Sequence, residues 1–209
     1  MRALAALVGL VLSVSVATVH AAGITEGKDY AVLAEQVTPA DPTKIEVAEV
    51  FSYLCSHCYH FDPLVKAWIK TQPADVALVQ THASFNQNWP VYQRAYYTIQ
   101  ALGVKDKVHE AIFTATFVAH KEMLNADAWA DFLSLYGVDK QKTLSTYNSF
   151  GVNSQIKQAD KRVRDYKVTG TPTVVVDGRF KVLASKQEDI LKVTQLLVDK
   201  VRAERAAKR

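Results

Sequence analysis

Two cysteines, Cys55 and Cys58, lie two residues apart in the stretch EVFSYLCSHCYHFDP, and the chain has no others. What precedes and follows them constrains the fold more than anything else in the sequence. Ile45 to Tyr53, IEVAEVFSY, is rich in β-branched and aromatic residues and free of turn formers, the pattern of a buried strand. A helix is expected to begin at the cysteines, with Tyr59, Phe61, Leu64, Val65 and Trp68 on its apolar positions. Pro63 falls inside that helix and is expected to kink it, with Asp62 capping the resumed segment.

Three kinds of chemistry suit such a pair. A structural staple would close a ring of only four residues, worth about 2 kcal/mol on chain-entropy grounds, whereas a stabilising disulfide normally spans a long loop. A zinc site needs four ligands, and Cys55, Cys58, His57 and His60 are nominally at hand. His57 lies between the cysteines, however, and would have to bend back to share one ion. A second ligand pair could come from His82, His109 or His120, but no metal is expected. In the redox reading, Cys55 at a helix start meets unpaired N–H groups and the positive end of the helix dipole, both of which favour thiolate. Cys58, one turn inside, should be more buried and less reactive. His57 can add positive charge or a hydrogen bond beside Cys55. A sulfur stabilised in this way is a good leaving group, so the disulfide is easily reduced and the protein oxidises others.

The chain's start bears on its compartment. Met1-Arg2, an apolar or small run from Ala3 to Val16, and Val19-His20-Ala21 form a secretory signal with the cut expected after Ala21. An uncleaved anchor is the alternative. The net charge is +4. Its basic residues are scattered apart from Arg202, Arg205, Lys208 and Arg209, which read as the frayed end of a helix. No basic face interleaved with aromatics invites nucleic acid.

Further along, Val76 to Ala83 is a second strand, and Trp89 to about Tyr166 is helical. Gly103 is a stop, Asn125 a cap, Gly137 an end, and Ile156, Ala159, Val163 and Tyr166 mark another helix. Met and aromatic residues in this block are expected to be core rather than site. Thr173 to Val176, Asp177-Gly178 and Phe180 to Leu183 form a hairpin, and a helix carrying Ile190, Leu191, Leu197, Val198 and Val201 follows. Helices thus interrupt an α/β unit, with expected boundaries at 22–87, 88–160 and 161–209.

Alternation puts Glu49 on the strand face of Ile45, Val47, Phe51 and Tyr53. A carboxylate there has a raised pKa and can relay protons for Cys58; a buried salt bridge to a lysine or arginine is the other reading. Glu46 lies on the opposite face, where a solvated charge is expected. Thr171-Pro172 leads into the hairpin, and sequence alone leaves that bond trans.

A CxxC after a buried strand, a helical insertion and Gly-Thr-Pro before a hairpin resemble the thioredoxin superfamily. The His in the dipeptide, the Glu six positions before the first Cys and the signal narrow this to the DsbA family of periplasmic thiol:disulfide interchange proteins, over essentially the whole mature length. That family is itself a standard example of a depressed cysteine pKa and an oxidising disulfide, so both properties come with the resemblance. The resemblance implies that Cys55 is the nucleophile, Cys58 resolves the mixed disulfide, His57 stabilises the thiolate and Glu49 is the buried acid. It also implies a cis Thr171–Pro172 turn that faces the disulfide and pairs with an extended substrate. The dipeptide departs from the family's usual Pro-His: Ser56 removes a conformational lock and adds a hydroxyl near the sulfur. The implied function is that of a periplasmic dithiol oxidase without a cofactor. Its partners would be unfolded exported proteins with reduced cysteines and a quinone-coupled inner-membrane oxidase of the DsbB type. A reductase or isomerase on the same scaffold, or a non-catalytic peptide-binding module, are the alternatives.

Overall fold

The computed structural model describes residues 23–208; the expected signal at 1–21 lies outside them. Five strands form one mixed sheet in the order β1-β5-β4-β2-β3. They are β1 (Tyr30–Val32), β2 (Ile45–Phe51), β3 (Val76–His82), β4 (Thr173–Val176) and β5 (Phe180–Val182). β2 pairs in parallel with β3 through the crossover helix α1 (Ser56–Lys70), and antiparallel with β4. The remaining helices are α2 (Trp89–Ala101), α3 (Lys105–Phe117), α4 (Ala126–Ser134), α5 (Lys140–Tyr147), α6 (Phe150–Asp165) and α7 (Gln187–Ala207).

All seven residues of β2 are buried, because the strand has helices on both faces. On one side Ile45 and Val47 pack with Phe61 and Val65 of α1 and with Leu197, Val198 and Val201 of α7. On the other, Ala48 and Val50 meet Val163 of α6 and Tyr166. Beyond the C-terminal end of β2, Phe51, Tyr53 and both cysteines enter a third core built by the helical block around Tyr92, Tyr96, Ile112, Met123 and Trp129. The redox pair therefore lies where the sheet's core meets the helical one.

Several local expectations change. Pro63 lies inside a continuous α1, and Asp62 caps nothing. Phe61 and Val65, buried on either side of the proline, hold the helix to the sheet, while the Asp62 carboxylate turns sideways to His109 and Lys66. Glu46 is 1% exposed rather than solvated. Its face of β2 is covered by α6, and it pairs with Arg162 while accepting from Tyr166 Oη at 3.2 Å and Ala40 N at 2.7 Å. Arg202 and Arg205 are anchors rather than part of a frayed end; Arg209 lies outside the described residues. Arg202 Nε donates to Asp75 at 2.8 Å, and Arg205 donates to Asp177 at 2.7 Å. Helix α6 runs through the expected boundary at residue 160, its last turns lying on the sheet. Strand β1 carried no legible signal, and within the stretch expected to be helical α3 and α5 were not separately delimited. β1 has three residues, α3 starts at Val104 without a capping side chain, and α5 buries only Thr143 and Tyr147.

The β4–β5 turn is Asp177-Gly178, with φ of 54° and 62°, the two positive values of a type I′ turn. Gly178 also accepts from Val37 N at 2.9 Å, and a Cβ on it would lie 1.8 Å from the Val37 carbonyl oxygen. Gly178→Ala is therefore expected to destabilise the protein by about 2 kcal/mol or more, read as a lower urea midpoint. An unchanged midpoint would show that the 33–38 segment yields freely.

Candidate active site

The chain turns sharply between β2 and α1, and each step of the turn is hydrogen-bonded. Tyr53 N donates to His82 Nε2 at 3.0 Å, Leu54 N to Ser52 Oγ at 3.1 Å, and Cys55 N to the Ser52 carbonyl at 3.1 Å. Cys55 is the N-cap of α1, and its sulfur takes the place of the usual capping oxygen by accepting from Cys58 N at 3.4 Å. No acidic residue stands in the first turn to offset the helix dipole. Both cysteines are free thiols; Cys55 is 9% exposed and Cys58 is wholly buried.

Their environments drive the two thiols apart. Cys55 is held down to about 5, chiefly by the hydrogen bond from the Cys58 thiol, then by the Thr171 hydroxyl and the backbone N–H groups of Cys58 and His57, against the opposing effect of burial. Burial pushes the Cys58 thiol far up, reinforced by its hydrogen bond to Cys55 and by the negative charges of Cys55 and Glu49. One proton shared by two sulfurs thus stays on Cys58 and leaves Cys55 the thiolate. The Thr171 carbonyl also accepts from the Cys55 thiol at 3.3 Å. The Thr171–Pro172 bond is cis. Beside it a groove of about 210 Å³ is lined by Val168, Pro172, Val174, Val182, Leu183 and Ile190.

Glu49 is 1% exposed. Its carboxylate accepts from Gln80 Nε2 at 2.9 Å, across the register pair Glu49–Gln80, and among the described residues it forms no ion pair. Burial raises its pKa to about 7; Asp62 adds to the rise, while Gln80, Lys105 and Lys66 oppose it. Burial thus leaves Glu49 able to take up or release a proton near neutral pH.

The family model for the DSBA-like thioredoxin domain matches residues 46–194. The chain belongs to the DsbA family. Among curated relatives, thiol:disulfide interchange protein DsbA of Pseudomonas aeruginosa is 42% identical over 182 residues, 86% of each chain. That of Burkholderia cepacia is 36% identical over 192 residues, 91% of each. The crystal structure of Pseudomonas aeruginosa DsbA superposes with a TM-score of 0.83 at 42% identity, covering 89% of this chain and 97% of that one. The DsbA oxidoreductase of Xylella fastidiosa does so at 0.83 and 34% identity, covering 86% and 98%.

Within this DsbA-like site the structure gathers Cys55, Cys58, Glu49, Thr171 and Pro172 around one sulfur pair. His57 reaches Cys55 through its backbone rather than its ring. Its backbone N–H addresses Cys55, but its ring is exposed and bonds to no protein group among the described residues. Its carbonyl accepts instead from Gln187 Nε2 of α7 at 2.9 Å. Of the histidines considered as metal ligands, His82 and His109 are buried and use their ring nitrogens on Tyr53, Ala83 and Asp62, not on the sulfurs. Sequence reasoning missed Gln80 and Gln187, and gave Asp62 and His109 other roles, those of a helix cap and a metal ligand. For Asp62 a signal existed, since it stands four residues after Cys58 and thus on the same helix face. The other three reach the site only through tertiary packing.

These ionisations make relative stability depend on redox state and pH. Closing the four-residue ring favours the oxidised fold by about 2 kcal/mol. A Cys55 pKa of about 5, against about 8.5 when unfolded, favours the reduced fold by at most about 3 kcal/mol at pH 7. Water at the open side of the sulfur screens part of this. A depressed acid pKa contributes stability that is complete above the unfolded value and is lost as pH falls through the folded one. The reduced protein is therefore expected to be slightly the more stable at pH 7, and the oxidised one to lead by about 2 kcal/mol at pH 4. Parallel urea titrations of both forms at the two pH values check this. An oxidised form that leads equally at both would mean that the sulfurs merely staple the chain.

Proposed function

We infer that this thiol:disulfide oxidoreductase works as an oxidase, passing its Cys55–Cys58 disulfide to exported proteins with reduced cysteines. The observation that carries the reading is the division of labour between the sulfurs. A thiol held down to about 5 is a good leaving group and the natural point of attack, while its buried partner keeps its proton. A substrate thiolate attacks Cys55 Sγ, the Cys55–Cys58 bond breaks, and Cys58 leaves with the electron pair. Glu49, protonated in part at neutral pH, gives Cys58 its proton and recovers one from solvent. A second substrate thiolate then attacks the substrate sulfur of the mixed disulfide and releases Cys55 as the thiolate. The substrate leaves with a disulfide and the protein is reduced by two electrons.

Thr171 and Pro172, beside Cys55 and the groove, which also carries Lys167, Thr169 and Lys181, are suited to an extended peptide. For His57 we propose that the backbone N–H holds the thiolate. Residues 88–160 are read as an insertion that covers the cysteines with its aromatic core. In our reading the leader at 1–21 directs the chain to the periplasm, and a DsbB-type, quinone-coupled membrane oxidase restores the disulfide. Among the described residues no helix is long and apolar enough to cross a membrane. A reductase or isomerase on this scaffold is the competing reading, and the low Cys55 pKa favours the oxidase. A peptide-binding module would give the two thiols no reason to differ.

Oxidation of a reduced, unfolded protein by the mature chain tests the assignment. Cys55→Ser is expected to abolish it, and Cys58→Ser to accumulate mixed disulfides through Cys55. Mixed disulfides trapped through Cys58 in Cys55→Ser would reverse the roles. Glu49→Gln is expected to slow exchange by about tenfold or more with the fold intact. Unchanged kinetics from pH 6 to 8 would remove Glu49 from the proton path.

A further inference from the structure

Beneath the cysteines runs a buried hydrogen-bonded chain that the exchange chemistry above does not use. Tyr53, His109 and Asp62 are 0%, 2% and 5% exposed. Tyr53 Oη and His109 Nδ1 are 2.6 Å apart, His109 Nε2 and Asp62 Oδ1 2.8 Å, and Asp62 Oδ2 accepts from Lys66 Nζ at 2.7 Å. The carboxylate can only accept, so Nε2 of the ring carries the proton and Nδ1 accepts from the tyrosine hydroxyl. Tyr53 stands two residues before Cys55, and Asp62 four residues after Cys58. His109 comes from α3 of the helical block. One imidazole therefore ties the chain entering the redox turn, the helix leaving it and the helical block to one another. It also directs the Asp62 carboxylate. Of that group's two oxygens, one is bound to His109 and the other to a lysine at the protein surface.

We propose that His109 is a positioning residue of the redox site, holding the Asp62 carboxylate as a fixed anion one turn beyond Cys58 on the buried face of α1 that packs against Glu49's face of β2, where it favours a proton on Glu49 for transfer to Cys58. The proposal rests on the Glu49 relay described above. The groups around Glu49 are Cys58, Asp62 and Lys66 of α1, Lys105 of α3, Tyr96 of α2 and Gln80 of β3, with Val174 across the pair on β4. Asp62 raises the Glu49 pKa, whereas Lys105 and Lys66 lower it. Those around His109 are Tyr53, Asp62, Lys66, Lys105 and His82. Burial lowers the His109 pKa, which keeps the ring neutral at pH 7 and leaves the Asp62 charge uncancelled on that side.

The test follows reduction of the oxidised protein by glutathione from pH 5.5 to 8.5, each rate divided by the thiolate fraction of the glutathione. An acid that must be protonated to serve Cys58 makes this corrected rate fall as pH rises through its pKa. Asp62→Asn keeps the acceptor for His109 but removes the charge, so the falling limb is expected to move to lower pH by roughly half a unit or more. His109→Ala leaves Asp62 held by Lys66 and water alone, and is expected to shift the limb the same way, with His109→Gln, which restores a donor, returning it towards the parent position. The double variant Asp62→Asn/His109→Ala should shift the limb no further than Asp62→Asn alone, because both act through one carboxylate. Thermal melts run in parallel. Variants that lose stability but keep the parent limb would make the network purely structural and overturn the proposal. If Glu49→Gln removes the limb while the Asp62 and His109 variants leave it in place, the proposal alone falls. If Glu49→Gln leaves the limb intact, the relay itself is wrong and the proposal falls with it.

Discussion

Everything distinctive in this molecule depends on one sulfur placed at the first turn of a helix. Cys55 occupies the position where serine or aspartate would ordinarily satisfy free N–H groups. A thiolate there gathers the donors an oxygen cap would take and meets the positive end of the α1 dipole with no carboxylate nearby in sequence to cancel it. The Cys58 thiol adds its own hydrogen bond and is itself pushed up by burial. The asymmetry is thus mutual, as what lowers one sulfur raises the other.

The sheet maintains this arrangement through the strand that delivers the sulfur. β2 is buried throughout, and it carries two carboxylates that the protein treats in opposite ways. Glu46 points towards α6 and is fully compensated by Arg162, Tyr166 and a backbone N–H, so it serves structure. Glu49 points towards α1 and receives one neutral amide, Gln80, while Lys105 and Lys66 act on it only through their charge. A buried acid without a paired cation keeps its proton near neutrality, and that property equips it for proton exchange rather than for anchoring.

Much of this was legible in the residues themselves. IEVAEVFSY, the cysteines and the start of a helix could be read in order because strand and helix periods differ and because a CxxC makes chemical sense at their junction. The Asp177-Gly178 turn, the Asn125 cap and the Gly103 and Gly137 stops were equally plain, since each rests on local backbone chemistry. Glu49's face followed from alternation. The same alternation put Glu46 on the other face but could not say that α6 would cover it, which is why solvent was expected there. Pro63 illustrates a local rule overridden: packing on both sides carries the helix through a residue that breaks helices in isolation.

By itself, then, the sequence determined most of the elements, the reactive pair and the order in which they follow one another, because these depend on contacts between residues a few positions apart. Tertiary structure alone decided which partners each buried charge has. Thr171 reaches Cys55, Gln80 reaches Glu49, His109 reaches Asp62 and Gln187 reaches the His57 carbonyl, each from a distant part of the chain. Those contacts set the protonation states, because a charge out of water is governed by the few groups that touch it. Only the folded chain brings them together.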